Sequence, residues 1–312
     1  MKKILALALS LTLALSLCAC GGDTTGDTAE NTDTQQMETD VVEIPEVEDL
    51  TSTDTSTIPG LEDGVLTVGM ECAYAPYNWT QSDDSNGAVE IRGSSDYAYG
   101  YDVMMAKKIG EALGQKVQIV KLDWDSLIPA VMSGDVDCVI AGQSITAERA
   151  AQVDFSDPYY YASIITLTKK DSAYANAASV ADLAGATATS QLGTIWYDTC
   201  LPQIENANIL PAQETAPAML VALNSGACDI VVTDRPTGQA ALVAYPDFTL
   251  LDFGGGDGDF QVSDEDINIG ISMKKGNTAL KDAINEVLAT MTTDDYNALM
   301  DEAISVQPLS DN

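Results

Sequence analysis

From residue 60 onward, short apolar runs alternate with segments of helical spacing, and that alternation restricts the chain to an α/β fold. Val65-Leu66-Thr67-Val68-Gly69-Met70 reads as a buried strand. Residues 101–113 carry Val103, Met104, Ala106, Ile109 and Leu113 at helical spacing, with Gly114 as a stop. Val117-Gln118-Ile119-Val120 is a second strand, and residues 126–132 form a helix closed by Ser133-Gly134. A third strand follows at Val136-Asp137-Cys138-Val139-Ile140-Ala141. Strands separated by helices pair in parallel, because a helical crossover returns the chain to the same end of the sheet.

One part of the pattern recurs. Ser133-Gly134-Asp135-Val136-Asp137-Cys138-Val139-Ile140 is echoed by Ser225-Gly226-Ala227-Cys228-Asp229-Ile230-Val231-Val232, 92 residues later. Each copy follows an apolar helix, with Leu127, Ile128, Val131 and Met132 in the first and Met219, Leu220, Ala222 and Leu223 in the second. Each ends in polar residues, Gly142-Gln143-Ser144 and Thr233-Asp234-Arg235. Four matches in eight positions suggest a duplication without proving one. Open α/β sheets bind ligands beyond the carboxyl ends of their strands. Two such halves facing each other would form a cleft with one strand end on each side.

Composition removes several functions. The 312 residues include 14 Lys+Arg against 48 Asp+Glu, for a formal charge of −34. Such a surface repels phosphate backbones, so nucleic acid is not an expected partner. Without histidine there is no Ser-His-Asp triad, no Cys-His pair and no His-ligated metal. Neither a metal nor a cofactor is expected. Six cysteines include no Cys-x-x-Cys, which weakens metal and redox readings further. Cys72, Cys138, Cys200 and Cys228 lie in the folded part, and spacing does not pair them.

Residues 1–19 read as an export signal: Lys2 and Lys3, then an apolar run over residues 4–17 too short for an ordinary membrane span. The end, Leu17-Cys18-Ala19-Cys20-Gly21-Gly22, resembles the bacterial lipoprotein signal, in which a small residue precedes the cysteine that receives lipid. Cys20 fits with Ala19 before it; Cys18 fits less well, because Leu17 takes the small-residue position. Residues 20–59 are rich in Thr, Asp and Glu and lack aromatic residues. They read as a disordered, self-repelling acidic tether. A lipidated cysteine followed by a tether predicts a protein attached to the outer face of a bacterial cell membrane by lipid.

Several polar residues fall where a ligand site would lie. Thr146 reads as the N-cap of a short helix, which puts Arg149 in its first turn. The helix dipole disfavours a cation there. Either a nearby acid such as Asp154 or Asp157 pairs with it, or an anion binds. Gln191-Leu192-Gly193-Thr194 follows a strand over residues 186–190 and opens a helix over 195–199; it serves either as a simple cap or as a carboxylate cradle. Asp234 ends the second repeat strand and either caps a loop or receives an ammonium. Tyr74, Tyr77 and Trp124 all follow strands; Trp124, between Asp123 and Asp125, looks like a partly exposed ring.

Taken in order, these segments resemble the family 3 extracellular solute-binding proteins, the amino-acid receptors of ABC importers. Val68-Gly69-Met70-Glu71-Cys72-Ala73-Tyr74-Ala75-Pro76-Tyr77 resembles the family's opening strand. Gly100-Tyr101-Asp102-Val103 resembles its first helix start, and Trp124-Asp125-Ser126-Leu127-Ile128-Pro129 its aromatic-bearing loop. The most specific stretch is Ala141-Gly142-Gln143-Ser144-Ile145-Thr146-Ala147-Glu148-Arg149, continuing through Val153-Asp154-Phe155-Ser156-Asp157-Pro158-Tyr159-Tyr160. The resemblance implies a two-lobed α/β, periplasmic-binding-protein-like (type II) fold with two hinge crossings. Lobe 1 would be residues 60–162 and 269–312, and lobe 2 residues 163–268, with crossings near Ile165 and Ile267.

It also implies roles. Arg149 would grip a ligand α-carboxylate with help from Thr194 and the Ser144 backbone. Asp234 and the Gly142 carbonyl would take the α-ammonium, and Tyr74 and Trp124 would sandwich the side chain. Glu71 and Gln143 would touch a polar or cationic side chain. Membrane permease subunits of the importer would be the partners. Residues 81–99 exceed the family's usual turn and are expected to form a lip over the cleft, and the family's closing Trp is absent. Two other functions compete: a dehydratase-like cleft enzyme, for which Glu71 is the one candidate acid, and a ligand sensor working through a separate partner.

Overall fold

Leu66, Val68 and Met70 are fully buried along the strand Val65–Met70. That strand is paired on both sides, as its apolar run requires. The computed structural model describes residues 54–308, apart from the side chains of residues 264 and 265. The export signal, Cys20 and most of the expected tether lie outside the described residues. The last part of that tether is folded: Asp54 caps a 3-10 turn over Thr55–Thr57, and Ile58 is 4% exposed in the core. Its apolar side chain, with Leu61, has enough surface to bury that the folded chain starts ahead of Gly60.

Two five-stranded sheets carry the architecture. In the first, Val65–Met70 pairs in parallel with Lys116–Lys121 on one side and Cys138–Val139 on the other. Ser272–Met273 and then Asp154–Phe155 complete it, each antiparallel to its neighbour. In the second, Thr187–Thr189 lies parallel between Asn208–Ile209 and Ile230–Asp234. Ile164–Lys169 and then Phe248–Leu251 follow, again antiparallel. Order and direction match strand for strand, so the fold is two-lobed and duplicated.

The duplication extends to atoms. Asp137 Oδ2 accepts the Thr67 amide at 2.7 Å, and Asp229 Oδ2 accepts the Thr187 amide at 2.8 Å. Ser133 and Ser225 each donate a hydroxyl to the carbonyl three residues earlier. Gly134 (φ 87) and Gly226 (φ 77) end the preceding helices, Leu127–Ser133 and Ala216–Ser225, in the left-handed conformation that glycine adopts without strain. Val68 pairs with Cys138 and Ala188 with Ile230. By that register Glu71 corresponds to Gln191, and Gly142 to Asp234.

Between the sheets, Tyr160–Tyr161 pairs antiparallel with Asn268–Ile269, and Ile165 is already inside the second sheet, opposite Thr233. The helix Thr278–Leu288 buries Leu280, Ala283, Ile284, Val287 and Leu288, the i, i+3, i+4 stripe of an amphipathic helix. Each of the larger side chains, Leu280, Ile284, Val287 and Leu288, contributes about 1.5–3 kcal/mol of apolar burial.

Residues 81–99 do not form the expected lip. Asn78–Gln81, Tyr97–Tyr99 and Val89–Glu90 make antiparallel ladders, and Arg92 donates its amide to the Ile119 carbonyl at 2.8 Å. Ala98 and Tyr99 are buried, so the insertion is drawn against the Lys116–Lys121 edge of the first sheet. Shorter differences concern the predicted strand over 136–141, of which only Cys138–Val139 is paired, and the turn after Thr194, which is a π-helical segment, Trp196–Cys200. Among the described residues all four cysteines are buried free thiols, where they act as small apolar groups.

Candidate functional site

The carboxyl ends of the two sheets meet where Glu71 reaches Gln191 and Tyr74 reaches Asp234; Trp124, Gln143, Arg149 and Thr194 line a cavity there, and the fully buried Asp234 is not part of its lining. Thr146 caps the helix Ala147–Gln152, its Oγ1 accepting the Arg149 amide. The guanidinium swings away from the helix. Its Nη1 donates to the Ser144 carbonyl and its Nη2 to the Gly193 carbonyl of the other lobe, both at 2.9 Å. The guanidinium carbon lies 5.4 Å from the centre of the Trp124 ring, in cation–π range. Among the described residues neither acid considered from sequence is at ion-pair distance from it, and Asp154 faces Lys275 instead. Burial lowers the Arg149 pKa, opposed by Glu148 and Asp198. A guanidinium has five N–H donors, and two are used here.

Around this group lies a cavity of about 610 Å³ lined by Trp124, Gln143, Arg149, Gly193, Thr194 and Asp198. Thr194 is buried and donates its hydroxyl to the Gln191 carbonyl at 2.8 Å, closing the turn. The Ser144 carbonyl is held by Arg149 and by the Thr146 amide. The buried Gln143 accepts from the Ser272 hydroxyl through Oε1 at 3.1 Å.

Asp234, fully buried, caps the helix Arg235–Ala244 by accepting the Thr237 amide at 2.8 Å on Oδ1. Its Oδ2 accepts the Thr237 hydroxyl at 2.9 Å and the Tyr74 hydroxyl from the opposite lobe. Burial raises its pKa, partly offset by the Tyr74 and Thr237 hydrogen bonds. Tyr74 does not lie parallel to Trp124. The two rings meet edge to face at 6.5 Å, and Tyr74 stacks on Tyr77 at 4.9 Å. Tyr77 is buried beneath Tyr74, and among the described residues its hydroxyl has no hydrogen-bond partner.

Glu71 is buried and accepts from Gln191 Nε2 at 3.2 Å. The two occupy corresponding positions in the two lobes, so the duplicated strand ends touch each other across the interface. Gln191 was visible in sequence only as a neighbour of Gly193; its signal was the strand register it shares with Glu71. Burial pushes the Glu71 carboxyl up to about 7, with Asp123 adding to the rise and Gln191 and Lys121 opposing it. A raised carboxyl favours the folded state while protonated, and that contribution is lost as pH rises from 4.5 through 7. Glu71→Gln is therefore expected to flatten the fall in stability over that window, by on the order of 3 kcal/mol at pH 8. Denaturant titrations at pH 4.5 and 8 measure it, and equal slopes for both proteins would refute the assignment.

Two duplicated α/β lobes, with a cation of one and an acid of the other turned to the shared interface, define a two-lobed solute-binding architecture. A model of the bacterial extracellular solute-binding proteins, family 3, matches residues 66–305, and the chain belongs to that family. The arginine-binding extracellular protein ArtP of Bacillus subtilis is 35% identical over 130 residues, 42% of this chain and 45% of that protein. The L-cystine-binding protein TcyJ of Escherichia coli is 27% identical over 233 residues, 75% of this chain and 79% of that protein. Among solved structures, the ancestral amino acid-binding protein AncCDT-1, a precursor of cyclohexadienyl dehydratase, is 30% identical with a TM-score of 0.63, covering 78% of this chain and 97% of that one. In the match to ArtP the chain spans less than half of the relative's length. Among the described residues no helix is long and apolar enough to cross a membrane, and no group of three or more acidic or cysteine side chains is placed to hold a metal ion.

Proposed function

We propose that this chain is the extracytoplasmic substrate-binding component of an amino-acid ABC importer, taking a polar or cationic amino acid between its lobes. The observation that carries this reading is Arg149. Among the described residues it has no carboxylate at ion-pair distance, it reaches across to the Gly193 carbonyl, and its remaining donors adjoin a cavity. A free α-carboxylate is the anion whose geometry matches a guanidinium fork. Asp234 supplies the acid for the α-ammonium, with Gly142 beside it, and Thr194 and Ser144 flank the carboxylate end. Tyr74, Trp124, Glu71 and Gln143 shape the side-chain end, and the acid at Glu71 supports a cationic side chain. Relatives named for arginine and cystine support the same class.

Residues 60–162 and 269–312 make lobe 1 and residues 163–268 lobe 2 in this reading. The paired segments at Tyr160–Tyr161 and Asn268–Ile269 serve as hinge. The protein is exported, lipidated at Cys20 and held at the membrane beside its permease; Cys20→Ala should move it from the membrane to the soluble fraction.

A thermal-shift screen of the twenty amino acids with cystine and ornithine tests the ligand class, since a binder raises stability by RT ln(1 + [L]/Kd). Trp124→Ala is expected to shrink the shift, and a flat response of the wild type to every compound would defeat the proposal. A second reading rests on Glu71, whose raised pKa suits a general acid of a dehydratase-like enzyme. We read the chain as a binder rather than an enzyme, because Glu71 is tied to Gln191 and, among the described residues, no second acid is hydrogen-bonded to it. Turnover of a cyclic hydroxy acid would reverse that choice.

A further inference from the structure

We propose that Asp102 is a positioning residue that holds the two ligand-facing loops of lobe 1 in register through a pair of buried hydrogen-bond relays. The inference deepens the binding reading above and rests on it for the importance of those loops.

Asp102 lies in the first turn of the helix Tyr101–Ala112 and is completely buried. One relay leaves from each carboxylate oxygen. Asn78 Nδ2 donates to Oδ2 at 2.7 Å, and Asn78 Oδ1 accepts the Cys72 amide at 2.7 Å. The Tyr159 hydroxyl donates to Oδ1 at 2.7 Å and accepts the Gly142 amide at 3.1 Å. The relays end at two residues with left-handed backbones, Cys72 (φ 54) and Gly142 (φ 63). Cys72 follows Glu71, and Gly142 precedes Gln143 and Ser144. A non-glycine residue at positive φ persists only when its surroundings hold it.

The directions of the bonds leave little choice. Asn78 must turn its oxygen to the Cys72 N–H, so its amine faces Asp102. The Tyr159 oxygen receives the Gly142 N–H, so its proton points to Asp102. The centre must therefore accept on two separate oxygens, which a carboxylate does and an amide, with its single oxygen, does not. Tyr101 supports the geometry by donating to the Tyr159 carbonyl at 2.7 Å and stacking on its ring at 5.7 Å. The titratable groups facing Asp102 are Tyr101, Tyr159 and Cys72. Burial raises all three above their ordinary values, the Cys72 thiol to about 12, so none titrates near neutrality. Burial also pushes Asp102 up to about 6, opposed by the Tyr159 and Asn78 hydrogen bonds and by the Gly142 amide, which acts on the carboxylate directly as well as through Tyr159; acidification protonates the centre and removes one acceptor.

Amide hydrogen exchange on the full chain tests this without a ligand. Tyr159→Phe is expected to speed exchange at Gly142 alone, and Asn78→Ala at Cys72 alone, each by about tenfold for one lost hydrogen bond. Asp102→Asn should open at least one of the two sites, with Val68 in the same sheet unchanged. In the wild type, exchange at Gly142 relative to Val68 should rise below about pH 6, and in Asp102→Asn it should be flat. Unchanged exchange in all three variants, or an equal rise at Val68, would overturn the proposal, because the latter marks general loosening. Binding of L-arginine should weaken about tenfold in Asp102→Asn. If the wild type binds no amino acid, the ligand reading fails while the exchange pattern still decides the role of Asp102.

Discussion

Arg149→Ala is expected to abolish amino-acid binding, with a loss of at least about thirtyfold in Kd measured calorimetrically. Truncating one partner of a buried hydrogen-bonded charge pair costs about 2–5 kcal/mol, because the group left behind keeps its desolvation penalty and loses its counter-charge; in the proposed reading that group is the ligand carboxylate. The same change removes two bonds to backbone carbonyls and the contact with the Trp124 ring. Each of these bonds has a charged donor and contributes about 1.5–3 kcal/mol, so the melting temperature should fall as well, and the calorimetry is run well below it. Arg149→Lys should recover part of the affinity, since it keeps the charge but not the planar fork. Wild-type affinity in Arg149→Ala would mean that the pocket lies elsewhere.

Asp234→Asn should separate binding from stability. The amide is nearly isosteric and can keep the Thr237 amide on its oxygen, preserving the cap of the helix Arg235–Ala244. What it loses is the negative charge that the proposed reading sets against a ligand ammonium. Affinity should drop by about a hundredfold, in keeping with a desolvated ion pair. The folded protein should be no less stable, because burial already penalises the ionised carboxyl. The Tyr74 and Thr237 hydroxyls, which donate to Oδ2, can rotate to accept from the new amine. An N-acetylated ligand, lacking the ammonium, should bind both proteins equally. A variant that binds the free amino acid like the wild type would remove Asp234 from the site.

The insertion over residues 81–99 shows where local reading stops. Its length beyond the family's usual turn predicts a lip over the cleft, and it carries the charges Asp83, Asp84, Glu90, Arg92 and Asp96. Ala98 and Tyr99 are nonetheless buried, in a strand paired with Asn78–Gln81. Only a partner strand supplied from outside the insertion tells the two outcomes apart. Arg149 was legible for a different reason: spacing puts a cation in the first turn of a capped helix, which is locally unfavourable, although the helix has only six residues and Arg149 lies in its last turn too, which softens the conflict.

Sequence alone determined the alternation of strands and helices, the duplicated helix–glycine–strand unit, and the positions of Arg149, Thr194 and Asp234 at element ends. Those follow from side-chain periodicity and capping, which act within a few residues. Tertiary structure decided which of these meet. Glu71 finds Gln191 at a separation of 120 residues, and Tyr74 finds Asp234 at 160. Asp102 joins Cys72 to Gly142 through Asn78 and Tyr159. Hydrogen bonds that span two lobes or two loops depend on how whole elements pack, and no spacing rule along the chain encodes that.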